Sequence, residues 1–376
     1  MKTFSGEYFG RGDFSVGILT EDSNAIPRQD YILYKDKLSW SDFGFAGYVF
    51  KSGRMPLLAK SGLRINDGYG LPAHFGDVVT IGNHGGLDVV WEHRSNQNAL
   101  FLTDSCNTRC IMCPQPPKPH DKKHIKTANR VLDLIQSSNV KCMCITGGEP
   151  TLPRQDFLSI LGRCTSEHPD ASLNILTNGQ TLSNFDFAKE CALRSSRKTC
   201  YCISMHGDTS VTHDRITRTD GAFRNVHNSL YNLSRLGVGI EVRFVVSKQN
   251  YSRLPNLAET WFRTYPFVHH FAIMGLEMTG CATENKDEVW IDPVDYIEEL
   301  EEFTVQAERR GLNFSLYNHQ LCTLPIQAWR YAARSISTWK QSYSPLCQNC
   351  GLRNDCCGVF TTSNGLVSRG IHPINN

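Results

Sequence analysis

Short apolar segments alternate with helical segments through the middle of this chain, and this alternation constrains its fold more than any other feature. Continuous apolar segments, rather than alternating ones, are typical of parallel strands covered by helices. The sequence therefore predicts an α/β fold built around a partial (β/α)6 barrel, in which ligands bind at the carboxyl ends of the strands. The predicted strands are ALFLT (99–103), KCMCIT (141–146), LNILT (173–177), TCYCISM (199–205), IEVRFVV (240–246) and HHFAIMG (269–275). The predicted helices cover 126–138, 154–165, 183–195, 221–236, 253–264 and 293–310.

The residues on either side of this region have a different character. Residues 1–97 contain short apolar runs interrupted by Gly, Asp, Asn and Pro, which indicates a small all-β domain. Residues 312–376 are rich in loop-forming residues and contain five cysteines. We therefore predict three domains, with the barrel over residues 98–311 between the β domain and a cysteine-rich extension.

Composition limits the classes of function that fit. The formal net charge is +2 over 376 residues, so the chain lacks the basic excess that is typical of nucleic-acid-binding proteins. Its apolar runs are shorter than the ~18 residues that a membrane-spanning helix needs. The first residues lack the apolar core of a signal peptide. These observations predict a cytoplasmic protein with neither a nucleic acid nor a membrane as partner.

The chain contains 15 cysteines, which is unusual. In a reducing compartment, clustered cysteines more often bind metal or take part in chemistry than form disulfides. Two clusters stand out, one at residues 106–113 and one near the C-terminus. The remaining cysteines lie among apolar neighbours and are expected in the core. They are Cys142, Cys144, Cys164, Cys191, Cys200, Cys202 and Cys281.

The first cluster consists of Cys106, Cys110 and Cys113, immediately after the first predicted strand. A loop that leaves a strand end can bring three thiolates to one point, and thiolates are the usual ligands of iron–sulfur clusters. Three ligands on a cubane leave one iron open for a substrate or cofactor. A structural zinc site would instead show paired Cys-x2-Cys arms with four ligands. The spacing therefore favours an iron–sulfur cluster with a catalytic role.

A second motif, Gly147-Gly148-Glu149-Pro150, follows the second predicted strand. Two glycines allow the backbone to approach a ligand closely, and Glu149 can accept a hydrogen bond from an ammonium group. The same four residues could also form an ordinary turn. Because the two motifs follow successive parallel strands, we expect both at the same edge of the barrel.

Together these motifs resemble the radical S-adenosylmethionine (SAM) superfamily. The resemblance implies a [4Fe–4S] cluster held by Cys106, Cys110 and Cys113, with SAM bound to the fourth iron. It also implies that Met112 lies beside the adenine and that the turn at 147–150 holds the amino group of SAM. The reduced cluster would then cleave SAM to methionine and a 5′-deoxyadenosyl radical, which abstracts a hydrogen atom from the substrate.

Three further residues at strand ends match this family. Asn178 follows ILT, Ser204 belongs to CISMHG, and Arg243 belongs to VRFVV. The resemblance implies that they are candidates for binding the ribose or the carboxylate of SAM. Two alternatives remain open from the residues alone. Asn178 with the following glycine is also a common turn, and Arg243 could form a salt bridge at the edge of the core.

The second cysteine cluster consists of Cys347, Cys350 and Cys356, together with Cys322 upstream. Four thiolates fit either an auxiliary [4Fe–4S] cluster or a four-cysteine zinc site, and spacing alone does not separate them. Adjacent cysteines rarely bind the same metal ion, so we predict Cys356 as the ligand and not Cys357. Radical SAM enzymes that modify peptides often carry an auxiliary cluster in a C-terminal extension, and this resemblance favours a second [4Fe–4S] cluster.

Several longer stretches resemble the HxsC-type radical SAM maturases of the His-Xaa-Ser peptide-modification system. This chain departs from that family at Pro114, where Ser is frequent, and at Cys357, where Gly is frequent. Neither position belongs to the predicted ligand sets. The stretches are FGDVVTI, NALFLTDSCNTRCIMCPQPP, NHQLCTLP, WKQSYSPLCQNCGLRNDCCGVF and SRGIHPI.

The narrower resemblance implies a post-translational maturase that modifies a peptide with His-Xaa-Ser repeats. A second radical SAM maturase of the same system and an external electron donor are the other implied partners. Residues 1–97 are a candidate for peptide recognition. Two alternatives remain: a radical SAM cyclase of cofactor biosynthesis that acts on a nucleotide, and a non-enzymatic iron–sulfur redox or metal-binding protein.

Overall fold

The structure is a computed structural model that describes most of the chain. The described residues are 3–10, 14–56, 59–65, 71, 73–83, 85–119, 121–136, 140–363 and 365–375. They form two compact units. One comprises residues 1–102, 121–146 and 159–173, and the other comprises residues 103–120, 147–158 and 174–376. The domain boundaries at residues 97 and 311 stay predictions.

The N-terminal part of the chain forms an eight-stranded sheet. The strand order is β1-β8-β7-β3-β4-β5-β6-β2. Strands β1 and β2 stand at opposite ends of this order although only Gly6 separates them in the chain, so one continuous segment bridges the two ends of the sheet. A side chain at Gly6 would lie 2.4 Å from the Arg64 carbonyl oxygen, which explains the glycine. The strands are β1 (Thr3–Ser5), β2 (Glu7–Gly10), β3 (Phe14–Thr20), β4 (Tyr31–Leu38), β5 (Gly47–Gly53), β6 (Ser61–Arg64), β7 (Val78–Gly82) and β8 (Gly86–Trp91).

The second sheet also has eight strands, which lie in chain order from β9 to β16. Its first six strands confirm the six that were predicted. The last two come from residues that the pattern assigned to a loop-rich extension, so the sheet is longer than a six-stranded barrel requires. The strands are β9 (Asn98–Phe101), β10 (Cys142–Thr146), β11 (Ser172–Thr177), β12 (Thr199–Ser204), β13 (Gly239–Val245), β14 (His270–Met274), β15 (Phe314–Tyr317) and β16 (Ala332–Ala333). A small antiparallel pair, β17 (Gln341–Ser342) and β18 (Val359–Phe360), follows.

All strand pairs of the second sheet for which a register is described are parallel, as predicted. The helices between the strands are α1 (Lys123–Leu134), α2 (Arg154–Glu167), α3 (Phe185–Arg194), α4 (Ser210–Thr217), α5 (Ala222–Arg235) and α6 (Leu254–Thr264). Two single-turn helices, α7 (Cys281–Glu284) and α8 (Lys286–Val289), precede α9 (Ile297–Arg309). None of the helices in the described ranges is both long and apolar enough to cross a membrane.

The helix predicted over 293–310 begins with a 3-10 turn at Pro293–Tyr296 before it continues as α9. The Asp292 carboxylate accepts a hydrogen bond from the Val294 amide at 3.2 Å and caps this turn. Further 3-10 turns lie at Arg28–Asp30, Gln180–Ser183, Tyr251–Arg253, Leu321–Thr323, Ile326–Tyr331, Pro345–Asn349 and Thr361–Ser363.

One face of strands β13 to β15 packs against helices through aromatic side chains. The Trp261 ring of α6 stacks on Phe271 with centroids 4.5 Å apart, and Phe303 of α9 meets Phe314 edge-on at 5.3 Å. Because side chains alternate along a strand, the neighbouring positions face the other way. That opposite face carries half-buried polar side chains, namely Glu241, Arg243, His270 and Ser315.

Candidate functional site

The three cysteines of the first cluster lie on a loop that follows β9, and all three thiols are half-buried. The Thr108 hydroxyl lies 3.1 Å from the sulfur of Cys106 and 3.5 Å from that of Cys110. The Cys113 thiol donates to the Gln115 carbonyl at 2.9 Å. One hydroxyl thus joins two of the three predicted ligands.

Backbone hydrogen bonds to helix α4 hold this loop in place. The amide of Arg109 donates to the Thr217 carbonyl at 3.1 Å, and the amide of Ile111 donates to the Ile216 carbonyl at 3.0 Å. The side-chain amide of Asn285 adds a bond of 2.8 Å to the Ile111 carbonyl. The loop is therefore fixed by the surrounding fold through bonds that do not use the thiols.

Burial sets the protonation state of these thiols. Together with a smaller effect of the neighbouring cysteines, it raises the pKa of Cys110 to about 12 and that of Cys113 to about 11. Both groups are therefore neutral thiols at pH 7 without a cation. A bound cation compensates the cost of deprotonating clustered thiols, so this donor set fits an iron–sulfur cluster.

The two glycines of the Gly-Gly-Glu-Pro turn lie directly against the start of the cysteine loop. A side-chain carbon at Gly147 would lie 2.6 Å from the Thr103 carbonyl oxygen, and one at Gly148 would lie 2.4 Å from the Ser105 carbonyl oxygen. The Gly148 amide also donates to Thr103 at 2.6 Å. From the sequence, these glycines were expected to allow close approach to a ligand. In the structure, they allow close approach to the backbone that leads into Cys106.

Glu149 is fully buried, with 0% of its surface exposed. Its Oε1 accepts hydrogen bonds from the hydroxyls of Thr151 at 2.6 Å and Thr177 at 2.7 Å, and from the Thr151 amide at 3.1 Å. Its Oε2 accepts from the Asn178 amide at 2.7 Å. Burial raises the pKa of this carboxyl, while the hydrogen bonds oppose that rise. Glu149 thus ties the turn, which ends at the buried Pro150, to the end of β11.

These contacts differ from the one expected for Glu149. The resemblance implied that the turn holds the amino group of SAM, yet the described partners of the carboxylate are four donors of the protein itself. Direct contact of Glu149 with SAM stays a prediction. The structural contacts indicate that Glu149 positions Asn178 and the turn.

Asn178 is brought against the cysteine loop. Its side-chain amide donates to the Asn107 side-chain oxygen at 2.7 Å and lies 3.6 Å from the Cys106 sulfur. Its own side-chain oxygen accepts from the Gln180 amide at 3.0 Å. A role for Asn178 in binding SAM stays a prediction.

Met112 is buried, with 5% of its surface exposed. It packs in an apolar cluster with Ile111 of the same loop, Ile216 of α4 and Met278. The predicted contact with the adenine of SAM stays a prediction. In the structure, the Met112 side chain anchors the loop between Cys110 and Cys113 in this apolar cluster.

Ser204 and Arg243 lie opposite each other on the adjacent strands β12 and β13. Ser204 is half-buried at the carboxyl end of its strand. Nε of Arg243 donates to Oε1 of Glu241 at 2.5 Å, so the salt bridge that the sequence left open is present. A role for either residue in binding SAM stays a prediction.

The four predicted ligands of the C-terminal cluster, Cys322, Cys347, Cys350 and Cys356, line one cavity. The Cys357 thiol is buried and donates instead to the His319 carbonyl at 3.1 Å. These positions agree with the choice of Cys356. Contact with the adjacent Cys357 thiol is the main cause that lowers the pKa of Cys356 to about 6, against the effect of burial.

In the described residues, no group of three or more His, Cys, Asp or Glu side chains is already arranged to hold a metal ion. The ligand role of both cysteine sets therefore stays a prediction.

Other residues that shape the site were not predicted from the sequence. Thr151 and Thr177 hold Glu149, and their position beside strand ends was the only available signal. Of the scattered cysteines, three are buried as expected and four are only half-buried, namely Cys142, Cys144, Cys200 and Cys281.

Comparison with known proteins decides the family of the central region. Residues 100–260 match the family model for the Radical SAM superfamily. This part of the chain is a radical SAM domain. A radical SAM domain implies a [4Fe–4S] cluster and SAM as its cofactors, and the matched range contains the cysteine loop, the Gly-Gly-Glu-Pro turn and Asn178.

Curated proteins share parts of the radical SAM domain with this chain. This chain is 27% identical to the GTP 3′,8-cyclase of Paenarthrobacter nicotinovorans over 140 residues. The alignment covers 35% of this chain and 38% of that protein. This chain is 26% identical over 157 residues to the Fe-coproporphyrin III synthase of Methanosarcina barkeri, which is 41% of this chain and 38% of that protein. The chain thus spans well under half of the length of these relatives.

A solved structure, SuiB of Streptococcus suis bound to S-adenosylmethionine, resembles this chain with a TM-score of 0.51 and 19% sequence identity. The alignment covers 61% of this chain and 52% of SuiB. This likeness shows that the two proteins share a fold over the aligned part.

Proposed function

We propose that this chain is a radical SAM enzyme that cleaves SAM reductively and modifies a peptide with His-Xaa-Ser repeats. One observation supports the reductive cleavage of SAM. Asn178 and the Gly147–Pro150 turn both lie against the loop that contains Cys106. A [4Fe–4S] cluster bound by Cys106, Cys110 and Cys113 would supply the electron for cleavage of the sulfonium. The remaining tasks fall to the protein, which has to bind, orient and shield the reactants.

The residues around the cysteine loop are suited to these tasks. Ile111 and Met112 belong to an apolar cluster that removes this part of the loop from water. The Thr108 hydroxyl can donate a hydrogen bond to a ligand sulfur, which is one of the levers that set the reduction potential of an iron–sulfur cluster. Asn178 offers an amide group beside the Cys106 sulfur for a polar part of SAM.

The C-terminal cavity is proposed as the site of a second [4Fe–4S] cluster, with zinc as the alternative. Convergence of Cys322, Cys347, Cys350 and Cys356 on one cavity supports a four-cysteine site of either kind. Metal analysis of anaerobically purified protein distinguishes the two, because zinc would be found in place of part of the iron.

The peptide substrate is proposed from sequence alone. The stretches that resemble HxsC-type maturases extend through NHQLCTLP at Cys322 and through the C-terminal cysteines. They also support a second maturase of the same system and an external electron donor as partners. Peptide recognition by residues 1–97 belongs to the same proposal.

A cyclase of cofactor biosynthesis is the second candidate. It is favoured by one observation, the similarity of the radical SAM domain to proteins named GTP 3′,8-cyclase. The substrate of such an enzyme would be a nucleotide.

One experiment separates the two candidates. The reconstituted protein is incubated anaerobically with SAM and dithionite, once with a synthetic His-Xaa-Ser peptide and once with GTP. Mass spectrometry then follows both compounds. The proposal predicts a SAM-dependent change in the mass of the peptide with GTP unchanged, and consumption of GTP with an unchanged peptide would contradict it.

A further inference from the structure

A polar array crosses three neighbouring strands of the second sheet. Glu241 and Arg243 lie on β13, His270 on β14 and Ser315 on β15, and the pairing register places Glu241 opposite His270. The side chains of Glu241 and His270 are 12% and 19% exposed, so they are shielded without being sealed. A small polar ligand could therefore reach them.

The contacts within the array form a continuous chain. Nδ1 of His270 lies 2.9 Å from Oε2 of Glu241, and its Nε2 lies 3.0 Å from the Ser315 hydroxyl. Arg243 bonds the other carboxylate oxygen, Oε1. Each ring nitrogen of His270 thus has one defined partner on a different strand.

The charge of Glu241 fixes the direction of these hydrogen bonds. Burial favours the neutral acid, but the hydrogen bond from His270 and the charge of Arg243 outweigh it and lower the pKa of Glu241 to about 2. An ionised carboxylate only accepts hydrogen bonds, so Nδ1 of His270 carries the proton. Nε2 then accepts the hydrogen bond from the Ser315 hydroxyl. In this tautomer, Nε2 of His270 can act as a base towards the Ser315 hydroxyl proton.

The sheet has sources of stability other than this array. Backbone pairing joins β13 to β14 and β14 to β15, and the aromatic face described above supplies the packing. Apolar residues of similar size would stabilise the sheet as well as a half-buried ion pair does, because the pair has to be desolvated. Polar arrays that do not repay their desolvation are frequent at functional sites.

The array lies on the same face of the sheet as contacts to the cysteine loop. Val245 occupies the position on β13 two residues after Arg243, and it packs against the apolar cluster that contains Ile111 and Met112. At about 3.3 Å per residue, Glu241 lies about 13 Å along the strand from Val245. The array therefore lies towards the amino ends of β13 to β15, on the face of the sheet whose carboxyl end contacts the cysteine loop.

We propose that Glu241, His270 and Ser315 form a proton relay for the substrate step of this enzyme. The ligand class is a polar group with an exchangeable proton, such as a hydroxyl or an imidazole. Its proton passes to the Ser315 oxygen while the Ser315 proton passes to Nε2 of His270, and no electron moves. Glu241 keeps the other proton on Nδ1 of His270 and compensates the positive charge of the imidazolium. The proton on Nε2 later returns to solvent. The role of the relay rests on the proposed function, whereas its geometry does not.

The first test uses the reconstituted full chain with SAM, dithionite and the His-Xaa-Ser peptide. The variant His270→Ala is expected to lower kcat for peptide modification by about 100-fold, the range of general acid–base catalysis. Added imidazole is expected to restore part of that rate, which loss of a structural contact would not allow. The matched control is His227→Ala on α5, whose ring bonds the Tyr265 hydroxyl, and it is expected to retain the wild-type rate.

A His270→Ala enzyme with the wild-type rate, or one that is inactive and insensitive to imidazole, would overturn the relay.

A second test does not depend on SAM chemistry. Diethyl pyrocarbonate acylates accessible imidazole nitrogens, and mass spectrometry locates the modified residue in the intact protein. The relay predicts faster acylation of His270 in Ser315→Ala, which uncovers Nε2, and slower acylation in Glu241→Gln, which removes the negative charge behind Nδ1. Equal rates in the two variants, or an unmodified His270 in both, would refute the relay. Absence of 5′-deoxyadenosine from the wild type would instead count against the proposed function.

Discussion

At the scale of single residues, Glu149 connects the Gly-Gly-Glu-Pro turn to the site. The two carboxylate oxygens of Glu149 accept four hydrogen bonds from protein donors. The side-chain nitrogen of a glutamine cannot accept a hydrogen bond, so it would leave at least one of these donors unpaired. We therefore expect Glu149→Gln to lower the free energy of unfolding by about 1–3 kcal/mol, the cost of unpaired buried polar groups. Affinity for SAM should fall as well, since Asn178 loses the partner of its amide.

Urea unfolding and calorimetric titration of SAM measure these two effects. The control is Glu302→Gln on the exposed face of α9, which should change neither. A Glu149→Gln protein with wild-type stability would show that the described network does not support the turn.

Three buried histidines predict how stability depends on pH. Burial lowers the pKa of His206 to about 3 and those of His213 and His319 to about 4. In the unfolded chain a histidine takes up a proton near pH 6.5. The unfolded state therefore binds more protons below that pH, and stability is lost as the pH falls from about 6.5 towards 4.

Each of these histidines should contribute a loss of about 1.4 kcal/mol between pH 7.5 and 5.5. Urea unfolding at the two pH values measures the total loss, to which the buried His168, whose pKa is also lowered by burial, contributes as well. The variant His319→Phe keeps a ring that cannot titrate. Whatever its absolute stability, its loss of free energy of unfolding between the two pH values should be smaller than that of the wild type by the contribution of one histidine. An equal loss in the variant would contradict the assignment.

At the scale of elements, the glycines of the turn set the position of the cysteine loop. A methyl group at Gly148 would lie 2.4 Å from the Ser105 oxygen, and this neighbour is backbone that cannot move without shifting the loop. We expect Gly148→Ala to reduce the iron content of reconstituted protein severalfold. Gly162 in α2 has open space around it, so Gly162→Ala should keep the iron and gain about 0.5–1 kcal/mol of stability.

Iron analysis and urea unfolding of the two variants make the comparison. Full iron occupancy in Gly148→Ala would show that the loop tolerates displacement and that the turn does not position it.

The sequence predicted the elements wherever the apolar pattern was long. Six strands and most of the helices between them were predicted because runs such as ALFLT and CMCIT are continuous and bounded by turns. Strands β15 and β16 were not found, since four and two residues are too few to show a pattern and their pairing depends on β14 being in place. Helix α4 was missed for a similar reason, because SVTHDRIT has mostly polar residues.

For the candidate site, the sequence predicted a set of ligands, whose role stays a prediction, but not the contacts around them. The cysteines were found from their spacing. The burial of Glu149 was not, because it depends on Thr151 and Thr177, which only the fold brings together. Likewise, Glu241 and His270 interrupt apolar strands, but their pairing depends on the register between β13 and β14.

At the scale of the whole molecule, two cysteine sets are proposed to bind metal, and they should do so independently. The C-terminal cavity is lined by Cys356, whereas the thiol of the adjacent Cys357 bonds the His319 carbonyl. We therefore expect Cys356→Ser to lose roughly half of the metal, the share of one of two clusters, and Cys357→Ser to retain nearly all of it. Inductively coupled plasma analysis of iron and zinc measures both, and equal losses in the two variants would exclude the assignment of Cys356.

The central claim is that the loop at residues 106–113 supports reductive cleavage of SAM. The most direct measurement is 5′-deoxyadenosine formed by anaerobically reconstituted protein with dithionite and SAM, in the wild type, Cys110→Ser and Cys142→Ser. The account predicts product from the wild type and from Cys142→Ser, whose residue lies on β10 outside the loop, and none from Cys110→Ser. Product from Cys110→Ser at the wild-type rate, or none from a wild-type protein that carries iron, would contradict it.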